Sequence, residues 1–120
     1  MGKIVYLSLG SNLGDRVGYI EAALTQIELE IAPLSRVSQF YESEPWGFDT
    51  ESQFLNICAS LETTKAPEEL LQTFQKIEKT LGRAEKTSDA YTSRVIDIDI
   101  LTHGTEVVKN KDLIIPHPEM

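Results

Sequence analysis

Two carboxylates two positions apart, Asp97 and Asp99 in the run VIDIDIL from Val95 to Leu101, stand out first as residues that could do chemistry. Strict alternation predicts a strand, so both leave the same face, about 6.5 to 7 Å apart along the chain at about 3.3 Å per residue. Ile96, Ile98 and Ile100 then take the other face into a core. Two carboxylates on a rigid strand can converge on a pair of Mg²⁺ ions, hard cations that bridge protein carboxylates to substrate phosphates. Alternation is equally what a solvated strand face shows, and the spacing alone leaves that reading open. Arg94, just before the strand, could serve a phosphate held by the metals or form a structural salt bridge to the carboxylates. Phe54 and Asn56 are a second pair, opposite Leu55 and Ile57. An aromatic platform beside a carboxamide that both donates and accepts suits a flat heterocycle with a mixed hydrogen-bonding edge, although a half-exposed strand gives the same pattern. Gln75 and Glu78 lie three apart on a helical stretch, a spacing that can simply mark its solvated side.

The elements that must hold these side chains follow from periodicity. Lys3 to Leu9 is an almost continuous apolar run, which predicts a central strand buried on both faces and ended by Gly10. Val17, Ile20, Leu24, Ile27 and Ile31 make one helical stripe, started by Asp15 and stopped before Pro33. Ser35 to Tyr41 and Phe54 to Leu61 read as two antiparallel strands. Pro67, Glu68 and Glu69 open a second helix, with Leu70, Phe74, Ile77 and Leu81 as its stripe and Gly82 as its stop. Val95 to Leu101 is the last full strand, and Leu113 to Ile115 before Pro116 is a candidate short edge strand. The order strand, helix, strand, strand, helix, strand predicts a single α+β domain over 1–120. Its expected form is a ferredoxin-like βαββαβ sandwich, with two helices on one face of an antiparallel sheet. Two connections, Glu42 to Gln53 and Arg83 to Arg94, are longer than the architecture requires, as binding loops often are.

Composition narrows the function. Eleven Lys and Arg against nineteen Asp and Glu give the 120 residues a net charge of −8, which argues against broad binding to nucleic acid. An anionic substrate therefore needs focused cations, for which Arg83, Lys86 and Arg94 are the candidates, or a metal ion. No apolar run reaches the roughly 18 to 20 residues of a membrane span, and the single cysteine, Cys58, fits a reducing compartment, so the cytoplasm is expected. GSNLGDR near the start has neither the GxGxxG fingerprint nor the GK[ST] of a P-loop, so nucleotide chemistry must use another arrangement. His103 and His117 are isolated in sequence, which disfavours zinc.

LSLGSNLGDR, FYESEPWG followed by FLN, LLQTFQKIEKTLGR, SRVIDIDIL and IPHP, in this order, resemble the 6-hydroxymethyl-7,8-dihydropterin pyrophosphokinases of folate biosynthesis, from Val5 to Met120. The resemblance implies a ferredoxin-like fold and transfer of the terminal pyrophosphoryl group of ATP to the pterin hydroxymethyl oxygen, releasing AMP. It implies two Mg²⁺ ions held by Asp97 and Asp99, with Arg83 and Arg94 joining them in catalysis. Gln75, Glu78, Arg83, Tyr91, Arg94, Ile100 and His117 would lie on the ATP side. Ser43, Glu44, Trp46, Phe54 and Asn56 would contact the pterin. Glu44, Glu85 and Tyr91 depart from the family's usual proline, basic residue and tryptophan. Members of the family continue beyond IPHP, so the domain is expected to be short at its C-terminal end. The expected partners are thus ATP and hydroxymethyl-dihydropterin, with no nucleic acid and no membrane, and the protein acts as a monomer or homodimer. The alternative reading is a non-catalytic or weakly active relative that binds nucleotide or pterin.

Overall fold

A computed structural model describes residues 2–12, 14–43, 54–82, 96–109 and 113–118, and the structural statements below concern these. The connection 83–94 lies outside them, and 42–53 is described only at Glu42 and Ser43. In chain order the elements are β1 (Lys3–Ser11), α1 (Arg16–Glu30), β2 (Leu34–Val37), β3 (Tyr41–Ser43), β4 (Phe54–Thr63), α2 (Pro67–Thr80), β5 (Asp97–His103), β6 (Val108–Lys109) and β7 (Ile114–Ile115). The main sheet runs β2-β4-β1-β5 with every pairing antiparallel, and β3 also pairs with β4. This is the ferredoxin-like α+β sandwich that the element order predicts.

Both helices cover the same face of the sheet. Ile20, Ala23 and Ile27 of α1 and Leu70, Phe74 and Ile77 of α2 pack on Leu7, Leu9, Ile57, Leu61, Ile98 and Ile100 in one continuous core. Asp15 caps α1, its carboxylate accepting the Gly18 N–H at 3.1 Å. Glu69 Oε1 accepts the Ala66 N–H at 3.0 Å at the start of α2, and Gly82, at φ 109°, takes the left-handed turn that ends it. Asp15→Ala is expected to lower stability by about 1 kcal/mol, the usual cost of an unsatisfied helix start, as a lower urea midpoint at unchanged slope.

Three details differ from the sequence reading. β1 is central but not buried on both faces: Ile4 and Tyr6 are half-exposed, at 52% and 50%, while Val5, Leu7 and Leu9 are buried. A continuous apolar run signals double burial only where a second layer exists, and here helices cover one face alone. The segment read as one strand from Ser35 to Tyr41 is two, β2 and β3, lying along the same edge of β4. At the break the Ser38 N–H donates to Cys58 O and Ser38 Oγ accepts from the Cys58 N–H, both at 2.8 Å, so a side chain replaces a ladder carbonyl. The third concerns β7, which pairs with β6 and not with the main sheet.

His103 ends β5 in the interior. Its Nε2 lies 2.9 Å from Lys65 O and carries the proton, because a carbonyl only accepts. Its Nδ1 sits 2.6 Å from Glu106 Oε2, close enough for an ion pair but outside hydrogen-bond geometry. The isolated histidine of the sequence is thus a tie between β5 and the segment before α2. Among the described residues, no helix is long and apolar enough to cross a membrane.

Candidate functional site

The uncovered face of the sheet gathers the chemistry. Pairing of β4, β1 and β5 sets Asn56, Gly10 and Asp97 in one row across three strands, and Cys58, Ser8 and Asp99 in the next. Neighbouring strands are about 4.8 Å apart, so the Asn56 and Asp97 backbones stand roughly 10 Å from one another. The two pairs singled out in the sequence, Phe54 with Asn56 and Asp97 with Asp99, therefore look out on the same side of the sheet. Neither pair is buried, whereas Leu55, Ile57, Ile98 and Ile100 point to the helices.

Asn56 is oriented by its own neighbourhood. Its Nδ2 donates to Phe54 O at 3.2 Å and, at a longer 3.4 Å, to Tyr41 O in the facing strand. The acceptor end of the carboxamide consequently turns toward β1, where Gly10 leaves room. The Tyr41 hydroxyl lies 3.4 Å from Cys58 Sγ. That hydrogen bond, aided by partial burial and by repulsion from a Cys58 thiolate, raises the phenol above the usual tyrosine range against an opposing hydrogen bond with Ser8. The phenol stays protonated at neutral pH and presents a hydroxyl beside the second row.

Asp97 and Asp99 occupy the edge strand β5, which α2 locks in place. Glu78, 5% exposed, lies on the inner side of α2, and its Oε2 accepts the Ile98 N–H at 2.8 Å, between the two aspartates. Below them a cavity of about 230 Å³ opens, lined by Leu71, Ile98, Asp99, Ile100, Leu113, Ile114, His117 and Pro118. Apolar walls with a carboxylate and an imidazole suit a flat ring with a polar edge. The tail returns to β5 through the His117 N–H, which donates to Leu101 O at 2.9 Å, and this brings His117 Nε2 to 3.7 Å from Asp99 Oδ1. No group of three or more metal-ligating side chains occurs among the described residues. Mg²⁺ does not need one, because it keeps waters and takes one or two carboxylates beside substrate phosphates. Two half-exposed aspartates on a fixed strand fit that requirement.

The structure thus brings Asp99, Ile100 and His117 together at one cavity, with Asp97 two residues before Asp99 on β5 and Phe54 with Asn56 two strands away on β4. Gln75 is exposed on α2 and does not line the cavity, and Glu78 is buried beneath β5, so the two do not share a solvated helix side. Glu78 follows the buried Phe74 by four residues, a signal that placed it on the inner stripe all along. Ser43 belongs to β3, paired with Phe54. Glu44, Trp46, Arg83, Tyr91 and Arg94 lie outside the described residues. Gly10, Ser8 and Tyr41 carry no chemical motif and enter the site only through strand register. Glu78→Leu is expected to lower stability by about 2 kcal/mol, because the Ile98 N–H loses its acceptor, and Glu78→Gln to recover most of it. Urea unfolding of both variants checks this.

The open sheet face thus carries an aromatic–carboxamide pair and a carboxylate pair, and a cavity lies beside the edge strand that bears the carboxylates. The family described as 7,8-dihydro-6-hydroxymethylpterin-pyrophosphokinase matches residues 6–120. A 2-amino-4-hydroxy-6-hydroxymethyldihydropteridine pyrophosphokinase of Porphyromonas gingivalis is 45% identical over 119 residues, 98% of this chain and 81% of that protein. Enzymes of the same name from Aquifex aeolicus and Bacillus subtilis are 44% identical over 114 residues and 38% over 121. These alignments cover 95% of this chain and 69% of the Aquifex protein, and 100% of this chain and 71% of the Bacillus one. The chain belongs to the 7,8-dihydro-6-hydroxymethylpterin-pyrophosphokinase family.

Proposed function

We propose that this protein transfers pyrophosphate from ATP to the hydroxymethyl group of 6-hydroxymethyl-7,8-dihydropterin in folate biosynthesis, giving AMP and the pterin diphosphate. The observation that supports this reading is the row Asn56–Gly10–Asp97, which puts the aromatic–carboxamide pair and the carboxylate pair on one sheet face. In the reaction the hydroxymethyl oxygen bonds to the β-phosphorus, the bond from that phosphorus to the α–β bridging oxygen breaks, and the hydroxyl proton passes to solvent. No protein nucleophile is required, and alignment with charge compensation supplies the rate. Phe54 offers a ring face to the pterin and Asn56 a hydrogen-bonding edge, with Ser43, Glu44 and Trp46 completing that side. Asp97 and Asp99 hold Mg²⁺, which when bound neutralises and orients the phosphates. Ile100 and His117 border the nucleotide, Gln75 and Tyr91 join that side, and Arg83 and Arg94 engage the phosphates. Glu78 acts from below, by fixing β5. The lone Cys58 supports a cytoplasmic setting.

The test is AMP formation from ATP, with and without added hydroxymethyl-dihydropterin and with Mg²⁺ present or chelated. AMP is expected only when pterin and Mg²⁺ are both present. AMP formed without pterin, or none with both substrates and Mg²⁺, would overturn the reading. Binding of Mg-ATP without turnover would leave the non-catalytic relative in its place.

A further inference from the structure

A glycine inside a strand has three ordinary reasons to be there: a positive φ, a bulge, or a close approach by another group. Gly10 is in the central strand, its φ is not positive, and the irregular register of β1 against β5 falls at Tyr6 and Leu7, away from it. Close approach remains, and the neighbours can be named. A Cβ built on Gly10 would lie 2.9 Å from Asn56 Oδ1 and 3.3 Å from Phe54 Cδ1, the first nearer than real Cβ contacts come. Both side chains lean across β1 from β4, toward the strand that carries Asp97.

Asn56 cannot move aside without loss, because its Nδ2 is tied to Phe54 O and Tyr41 O. A methyl group at position 10 would therefore displace the carboxamide oxygen, lift the Phe54 ring, or break those hydrogen bonds. We infer that Gly10 is a positioning residue of the pterin subsite: its bare Cα lets Asn56 and Phe54 lean toward β5, and so sets how far the pterin edge sits from Asp97. The ligand in this inference rests on the function proposed above, whereas the packing does not.

Gly10→Ala tests it. With the unsubstituted chain active, the variant is expected to raise the pterin KM about tenfold or more, keep the Mg-ATP KM within about twofold, and melt within a few degrees of the parent. In an Asn56→Ala background, where the carboxamide is gone, adding Gly10→Ala is expected to cost less than a further twofold in pterin KM. An unchanged pterin KM and kcat, a parallel loss of both KM values with a fall in melting temperature, or full additivity in the Asn56→Ala background would each overturn it. If Gly10→Ala alone does not fold, recovery of the fold in the double variant supports the inference and failure of both overturns it. The side-chain amide NMR signals of Asn56 supply a readout free of ligand and turnover. They are expected to shift in Gly10→Ala, and unshifted signals would overturn the inference even if the chain made no AMP. Failure of the functional reading shows instead as absence of pterin-dependent AMP in the unsubstituted chain.

Discussion

Asp97→Asn and Asp99→Asn are each expected to lower turnover by about 10³-fold or more while leaving a folded protein. A metal-held charge on the phosphates contributes several kcal/mol to the transition state, and each 1.36 kcal/mol is about tenfold in rate. Neither side chain belongs to the core, to which β5 contributes Ile98 and Ile100, so urea stability should stay within about 1 kcal/mol of the parent. The two substitutions should also differ. Asp99 borders the cavity and lies 3.7 Å from His117 Nε2, so its loss is expected to raise the ATP KM as well as lower kcat. Asp97, in the Asn56–Gly10 row, should act mainly on kcat. A readout independent of turnover is the Mg²⁺ dependence of melting in the presence of ATP, which a ligand-bound native state raises and which either substitution should flatten. Near-normal turnover in either variant, or unfolding of both, would overturn the proposal that the two aspartates hold Mg²⁺.

Side chains that report on their own element were legible in the sequence. Pro67, Glu69 and Gly82 bound α2, and the alternation of VIDIDIL put Asp97 and Asp99 opposite the core, because a helix end and a strand face are local matters. What the sequence left out depends on neighbours far along the chain. The open side of β1 follows from where the helices pack, and a run such as Ile4 to Leu9 reads the same whether one layer or two cover it. The break at Ser38 depends on Cys58, twenty residues away, donating its N–H to a side chain in place of a ladder carbonyl. The burial of Glu78 is not legible from its spacing to Gln75, because charge in a sequence reads as solvent exposure until a buried donor such as the Ile98 N–H is known. The Gly10 row is a product of register alone, and register is fixed by long-range pairing of hydrophobic faces.

Asn56→Ala is expected to weaken pterin binding by about 5- to 150-fold, the equivalent of roughly 1 to 3 kcal/mol for a lost hydrogen-bonding partner in a partly enclosed site. Mg-ATP binding should stay within about twofold, because the cavity beside Ile100 and His117 is lined without Asn56. The two carbonyls that Asn56 now satisfies, Phe54 O and Tyr41 O, lie near the surface and can turn to water, so the strand should survive the truncation. Asn56→Asp sharpens the point. It keeps the size of the side chain but cannot donate to either carbonyl, and it adds a negative charge about two strands from Asp97 on a protein already at −8. It should therefore bind pterin more weakly than Asn56→Ala, an order that a purely steric role would reverse, since aspartate fills the site and alanine empties it. Calorimetric titration of both variants with pterin and with Mg-ATP decides the matter. Equal loss of the two ligands would mean that β4 itself had collapsed, and tighter pterin binding by Asn56→Asp than by Asn56→Ala would mean that shape, and not the carboxamide's donors and acceptor, holds the heterocycle.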